Sequence, residues 1–310
     1  MRFSVSIPNF GDFADPEAVA VLAQAVEHAG WDALFVWDHM VHEKRLVRDI
    51  ADPWILLTAA AMVTSRIRLG TMITPVARRR PQKLAREVTT LDRLTGGRMI
   101  LGVGLGDPVD DEYGAFGEPT SRRVLAERLD EGLEVLNRLW SGERTTYEGE
   151  HVTVRDVMFR PTPVQRPRVP IWVGGRWPNI PPMRRAARWD GAIPIMSGAW
   201  QAEPPLMAEV TAASAFLRTA RAEAGLADEP FDFVVGGSSP AGHWPLIQEL
   251  ADAGVTWWDE RMPFGELLED ADAIRRRVDQ GPPAIAPAGA EPSEAGQAEA
   301  GQAELENPGT

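Results

Sequence analysis

The octapeptide ALFVWDHM, residues 33–40, runs an apolar segment straight into a carboxylate beside an imidazole. An imidazole ionises near neutral pH, so His39 is a natural proton donor and acceptor, and a neighbouring carboxylate such as Asp38 can orient it. The plainer alternative makes Asp38 a turn cap and His39 a satisfied loop residue. Three other apolar runs end in residues able to handle a ligand. IRLGTMI (67–73) carries Thr71 and Met72. MILGVG (99–104) leads into LGDP, where glycines 102, 104 and 106 bring backbone close to anything seated there and Asp107 follows. VPIWVGG ends in Gly174 and Gly175 before Arg176. Exposed amides followed by a guanidinium suit an anion such as a phosphate.

Several chemistries find no framework. GVGLG is G-x-G-x-G, not the G-x-G-x-x-G of a dinucleotide fold. His39 and His42 with Asp38 lack the companions of a recognised metal motif. GGSS at 236–239 is not a G-x-S-x-G elbow. The ARRRPQK run (77–83) reads as a solvated loop before a helix, with attraction of an anionic cofactor tail as the functional alternative. Trp177 and Trp200 fall in loops and could line a substrate pocket.

Such residues need elements to position them, and the chain supplies a regular alternation. Apolar strands are expected at 3–7, 33–37, 67–73, 99–104, 169–175, 190–196, 231–237 and 255–260. Helices are expected at 15–30, from the Asp52-Pro53 pair, at 80–97, 120–140, 181–189, 204–224, 244–253 and 265–280. Asp15 before Pro16 and Asp52 before Pro53 are N-cap signals, and Gly30 and Gly96-Gly97 are stops. Leu125, Leu129, Leu133 and Leu136 share one helix face. The stretch 144–165 alternates around Glu148-Gly149-Glu150 and reads as a β-hairpin excursion. Eight short apolar strands alternating with eight helices predict an α/β fold, a (β/α)8 TIM barrel over residues 1–280. An open doubly wound sheet is the alternative. Catalytic groups of such barrels stand at the C-terminal ends of the strands, where the residues above fall.

The 310 residues are 44% hydrophobic, enough for a substantial core. The net charge of −13 argues against a nucleic-acid partner. Five of the glutamates fall in residues 281–310, a Pro/Gly/Ala/Glu segment with a near-repeat of GQAEA that reads as a disordered tail. Cysteine is absent, excluding disulfides and thiolate chemistry. No apolar run reaches the ~20 residues of a membrane span, and the N-terminus lacks a signal-peptide pattern. The expected location is the cytoplasm.

FVWDHM, SRIRLGTMITPVARRRP, REVTTLDRLTGGRMILGVGLGDP, EYGAFGEP, ERLDEGLEVLNRLWSGE and VPIWVGG, in this order across residues 1–280, resemble the bacterial luciferase-like monooxygenase superfamily. Its members are (β/α)8 barrels that use FMN or the deazaflavin coenzyme F420. The resemblance implies a proton-transfer role at the isoalloxazine face for His39, with Asp38 beside it. A bulge supporting the ring, often at a non-proline cis peptide, would fall at Thr71-Met72-Ile73. Gly104 and Gly106 would back the cofactor, and Gly174, Gly175 and Arg176 would meet its phosphate. Deazaflavin-dependent dehydrogenases place an acid where Asp107 stands, usually a glutamate. Luciferase subunits carry an arginine where this chain has Leu105. Both features lean toward F420, hydride transfer and a small organic substrate. The alternatives are an FMN-dependent monooxygenase using oxygen, with a separate reductase supplying reduced cofactor, and a non-catalytic flavin-binding protein on the same barrel. A homodimer is common in the family.

Overall fold

The computed structural model describes residues 1–262 and 269–284. Eight parallel strands close into a barrel: β1 (Arg2–Ile7), β2 (Ala33–Val36), β3 (Arg68–Pro75), β4 (Met99–Gly104), β7 (Ile171–Arg176), β8 (Gly191–Ile195), β9 (Asp232–Gly237) and β10 (Trp257–Glu260). Their order around the barrel is β1-β10-β9-β8-β7-β4-β3-β2, so every strand has two neighbours and no edge is left open. The expected barrel is therefore observed, and the open sheet is excluded.

The helices between the strands begin where the cap chemistry places them. In α1 (Pro16–His28) the Asp15 side chain accepts the Glu17 amide at 2.9 Å, and Val19, Leu22, Ala23 and Val26 turn inward. In α2 (Pro53–Val63) Asp52 accepts from Trp54 and Ile55, satisfying amides that a helix start would otherwise leave unpaired. Helix α3 is Pro81–Leu94, α4 the short Val109–Glu112, and α5 Arg122–Ser141. Then come α6 (Ile180–Ala186), α7 (Met207–Glu223), α8 (Leu246–Asp252) and α9 (Ala271–Asp279). The sixth helix stops earlier than expected. The start of the last expected helix, 265–268, lies outside the described residues, as does 285–310 of the expected tail.

The hairpin pairs β5 (Arg144–Glu148) with β6 (Thr153–Met158). Glu131 of α5 accepts the amides of Glu150, His151 and Val152 at 2.8–2.9 Å. The excursion is thus pinned to the outer face of α5.

Inside the barrel, Phe35, Ile100, Trp172, Ile193, Val234 and Trp257 form a dry plug. Trp172 lies 5.4 Å from Phe35 and 5.2 Å from Trp257, centroid to centroid. This aromatic floor closes the middle of the barrel and leaves the C-terminal mouth for chemistry.

Candidate functional site

At the end of β2 the backbone of His39 is clamped by one buried side chain. Asn9 accepts the His39 amide at 3.1 Å and donates to the His39 carbonyl at 2.8 Å. The imidazole lies flat against His42, with centroids 4.5 Å apart, and Trp37 meets it edge-on. Its Nδ1 is 3.0 Å from Oε1 of Glu112, and 18% of the side chain is exposed. With the carboxylate accepting from Nδ1, a neutral ring carries its lone pair on Nε2, ready to take or return a proton.

Glu112, on α4, is 1% exposed. It also accepts the amides of Met40 at 2.9 Å and His42 at 3.0 Å, and it pairs with Arg78. Burial by itself would raise its pKa. The hydrogen bond and charge of His39, then Arg78 and the Met40 amide, outweigh that and hold the carboxyl down to about 2. Burial, followed by the charges of His39 and Arg48, depresses His42 to about 4. His42 is therefore a neutral stacking surface at neutral pH.

Asp38 does something different from the orienting role expected beside His39. Its carboxylate is bound by Arg78 Nη2 at 2.7 Å, by Arg79 at 2.8 and 3.0 Å, and by Thr74 Oγ1 at 2.8 Å. Thr74 Oγ1 also lies 3.0 Å from Thr71 Oγ1, which lies 3.1 Å from the Gly102 carbonyl oxygen. Arg78 spans both carboxylates, so a continuous polar chain links β4, β3, Asp38, Glu112 and the His39 ring. The basic run 77–83 is correspondingly not a solvated loop at its start: the Arg78 and Arg79 side chains are 8% and 16% exposed. Two buried carboxylates need compensating charge, and these guanidiniums supply it.

Strand β3 breaks register against β4 between Thr71 and Thr74, with a cis Met72–Ile73 peptide inside the break. The Ile73 side chain lies across β4 and β7. A Cβ on Gly104 would collide with Ile73 Cδ1, one on Gly102 with the Thr71 carbonyl, and one on Gly174 would come 3.2 Å from Ile73 Cγ2. These glycines make room for the bulge, and Ile73 covers them as a flat apolar shelf. Gly106 adopts φ +85°, turning the chain toward Tyr113, whose hydroxyl donates to the Leu105 carbonyl at 2.5 Å.

Asp107 stands on the rim, paired with Arg122 at 3.0 Å and Arg176 at 2.8 Å. Arg176 also lies over the Trp200 ring at 5.2 Å, and Gly175 abuts Pro182 at the start of α6. Trp177 packs against Phe216 of α7, with ring centroids 6.1 Å apart. Among the described residues no cluster of His, Asp and Glu is arranged to hold a metal ion.

Sequence reasoning gave no role to Glu112 or Asn9, placed Thr74 only at the end of the third strand, and held Arg78 only as part of the basic run 77–83. Glu112 is hidden in an acidic run, DPVDDEY, whose members look alike until folded. It is also the first residue of EYGAFGEP, and that segment was the available signal.

The sequence profile described as luciferase-like monooxygenase matches residues 1–288. The chain belongs to the luciferase-like monooxygenase family. Within and around that family, the chain is 32% identical over 166 residues to a protein named F420-dependent glucose-6-phosphate dehydrogenase from Kineococcus radiotolerans, covering 53% of this chain and 48% of the relative. The chain spans about half the length of the curated relatives it matches. It resembles the crystal structure of monooxygenase RslO1 from Streptomyces bottropensis at TM-score 0.64 and 25% identity, covering 82% of this chain and 75% of that one. Its fold is also that of the coenzyme F420 dependent tetrahydromethanopterin reductase from Methanopyrus kandleri, at TM-score 0.69 and 19% identity, with 90% and 96% covered. No helix among the described residues is long and apolar enough to cross a membrane.

Proposed function

We propose that the protein is a coenzyme F420-dependent oxidoreductase in which His39 moves the proton that accompanies hydride transfer to or from a small organic substrate. The observation that carries this reading is the His39–Glu112 pair at the mouth of a barrel whose next strand carries the Ile73 shelf. The 32% identity to a protein named for F420 dependence supports the deazaflavin, as do Asp107 and Leu105 in the loop after β4.

The residues present fit such a cofactor. The glycine positions of β4 and β7 admit no Cβ without a collision or a tight contact, which leaves one flat wall formed by Ile73 and the backbone around Gly104 and Gly106. Gly174, Gly175 and Arg176 would lie toward the phosphate, with Arg122 nearby. Once bound, the deazaflavin supplies two-electron hydride chemistry. The chain does the rest. Met72, 7% exposed, and Ile73 support and exclude water from one face. Glu112 holds the His39 ring with Nε2 available, and the Asp38–Arg78–Arg79 cluster fixes the loop that carries it. Asp107 is an anchor for Arg122 and Arg176 in this arrangement, with both carboxylate oxygens engaged; it would serve as a second proton donor only after those contacts open.

FMN is the second reading, supported by the likeness to a monooxygenase at 25% identity. It would require oxygen and a partner reductase. The discriminating experiment offers alcohols and sugar phosphates to the protein with oxidised F420 under anaerobic conditions, and in parallel measures oxygen uptake with reduced FMN. Substrate-dependent reduction of F420 is expected, and His39→Asn should slow it by about 10²–10⁴. Oxygen-dependent turnover with FMN alone would overturn the deazaflavin assignment. Equal rates for the folded His39 variant would remove that residue from the chemistry.

A further inference from the structure

Strand β10 carries a second polar cluster at the mouth. Its residues alternate: Trp257 joins the barrel plug, Trp258 joins the core between barrel and helices, and Asp259 again faces inward one layer above Trp257. Asp259 is fully buried. It accepts from Ser4 Oγ at 2.8 Å, from Ser6 Oγ at 2.8 Å and from Arg261 Nε at 2.6 Å. Burying a carboxylate among apolar strands is costly, so this one is retained for the cation it fixes.

That cation is held in an unusual pose. The Arg261 amide donates to the Gly237 carbonyl at 2.8 Å, and its side chain lies across Gly236, where a Cβ would come 2.8 Å from Nε and 2.9 Å from Cζ. Among the described residues its Nη edge meets only Met72 Sδ, at 3.6 Å. A thioether is a weak acceptor, whereas a guanidinium offers five strong donors. The other well-buried arginines differ. Arg78 and Arg79 are committed to carboxylates, and Arg277 reaches Glu260, Ser239 and the Gly281 carbonyl. The amide of Ser239 after β9 is likewise taken up by Glu260, at 2.9 Å. On this side of the mouth, the Nη edge of Arg261 meets no oxygen acceptor among the described residues.

Barrel order places it usefully. β10 lies four strands from β4 in either direction, and β2 lies two strands from each. Across the mouth the Arg261 Nη edge reaches Met72 Sδ, in the β3 bulge beside Ile73. We infer that Arg261, oriented by Asp259, receives an oxyanion carried by the organic substrate, a carboxylate or a phosphate monoester. A planar fork with one edge fixed by a carboxylate and the other turned to the mouth is suited to bidentate oxyanion recognition. The substrate role rests on the cofactor reading above; anion binding at Arg261 does not.

The test is calorimetric titration of the full chain, without cofactor, with inorganic phosphate and separately with acetate. It uses wild type, Arg261→Gln, Arg261→Lys and, as a control on the exposed face of the hairpin, Arg155→Gln, each checked for folding by circular dichroism. At least one anion should bind the wild type, and Arg261→Gln should weaken it by about tenfold or more. Arg261→Lys should retain part of the affinity and Arg155→Gln nearly all of it. Tighter phosphate than acetate assigns a phosphate monoester; the reverse assigns a carboxylate. Absence of anion binding by folded wild type, unchanged affinity in Arg261→Gln, or an equal loss in Arg155→Gln overturns the inference. Cofactor titration of the same samples separates the two readings: anion binding without cofactor binding leaves the Arg261 site standing and removes the cofactor from the mouth.

Discussion

His39 and Glu112 are 73 positions apart in sequence, yet the ring nitrogen and the carboxylate meet at 3.0 Å. The adjacent Asp38, the natural partner by proximity in the chain, turns instead toward Arg78, Arg79 and Thr74. Side chains of consecutive residues leaving a strand point in different directions, so chain adjacency is poor evidence of contact. Glu112→Gln should therefore affect the ring more than any change at Asp107. It keeps the shape but removes the charge facing His39 and Arg78, and turnover should fall by about 10²-fold as the imidazole loses its fixed orientation. Cofactor affinity should hold. The same variant has a pH signature. Because folding depresses the Glu112 pKa from 4.5 to about 2, its contribution to stability is complete above 4.5 and disappears as pH falls through that interval. The urea midpoints of wild type and variant should differ near neutrality and converge toward pH 2. A constant gap would show that Glu112 contributes shape and not charge.

The elements divide into those whose chemistry is local and those whose chemistry is not. Asp-Pro caps, apolar strands and the hairpin at Glu148-Gly149-Glu150 announce themselves over a few residues, and the structure has them. The basic turn after β3 did not. Three consecutive arginines resemble a solvated surface until the carboxylates of Asp38 and Glu112 are brought to them by strand pairing. The glycines of β4 were legible as places of close approach, but not as the space for Ile73. Two substitutions separate these roles. Gly102→Ala puts a Cβ onto the Thr71 carbonyl, which cannot yield, so the fold should lose about 1–3 kcal/mol. Gly104→Ala meets the far end of the Ile73 side chain, which can move, so stability should change less while cofactor affinity drops. Thermal melts and cofactor titration on the two variants check this, and an equal loss of stability in both would contradict it.

At the scale of the molecule, closure of the barrel turns eight separate strand ends into one site. Periodicity revealed the staves, since each is short, apolar and followed by a helix. It could not show which ends face one another, and that is where Glu112, Asn9 and Arg261 enter. WWDER at 257–261 repeats the pattern of VWDH at 36–39, an apolar stave ending on a charge, and both mark the rim. In the proposed function, the Ile73 shelf and His39 line the seat of a flat, tricyclic cofactor with an anionic tail. Titration of the full chain with F420 and with FMN, followed by absorbance and fluorescence in parallel, tests that claim most directly. Saturable binding of F420, tighter than FMN and weakened by Gly104→Ala, is the predicted result. Binding of neither cofactor by the folded protein would contradict the account.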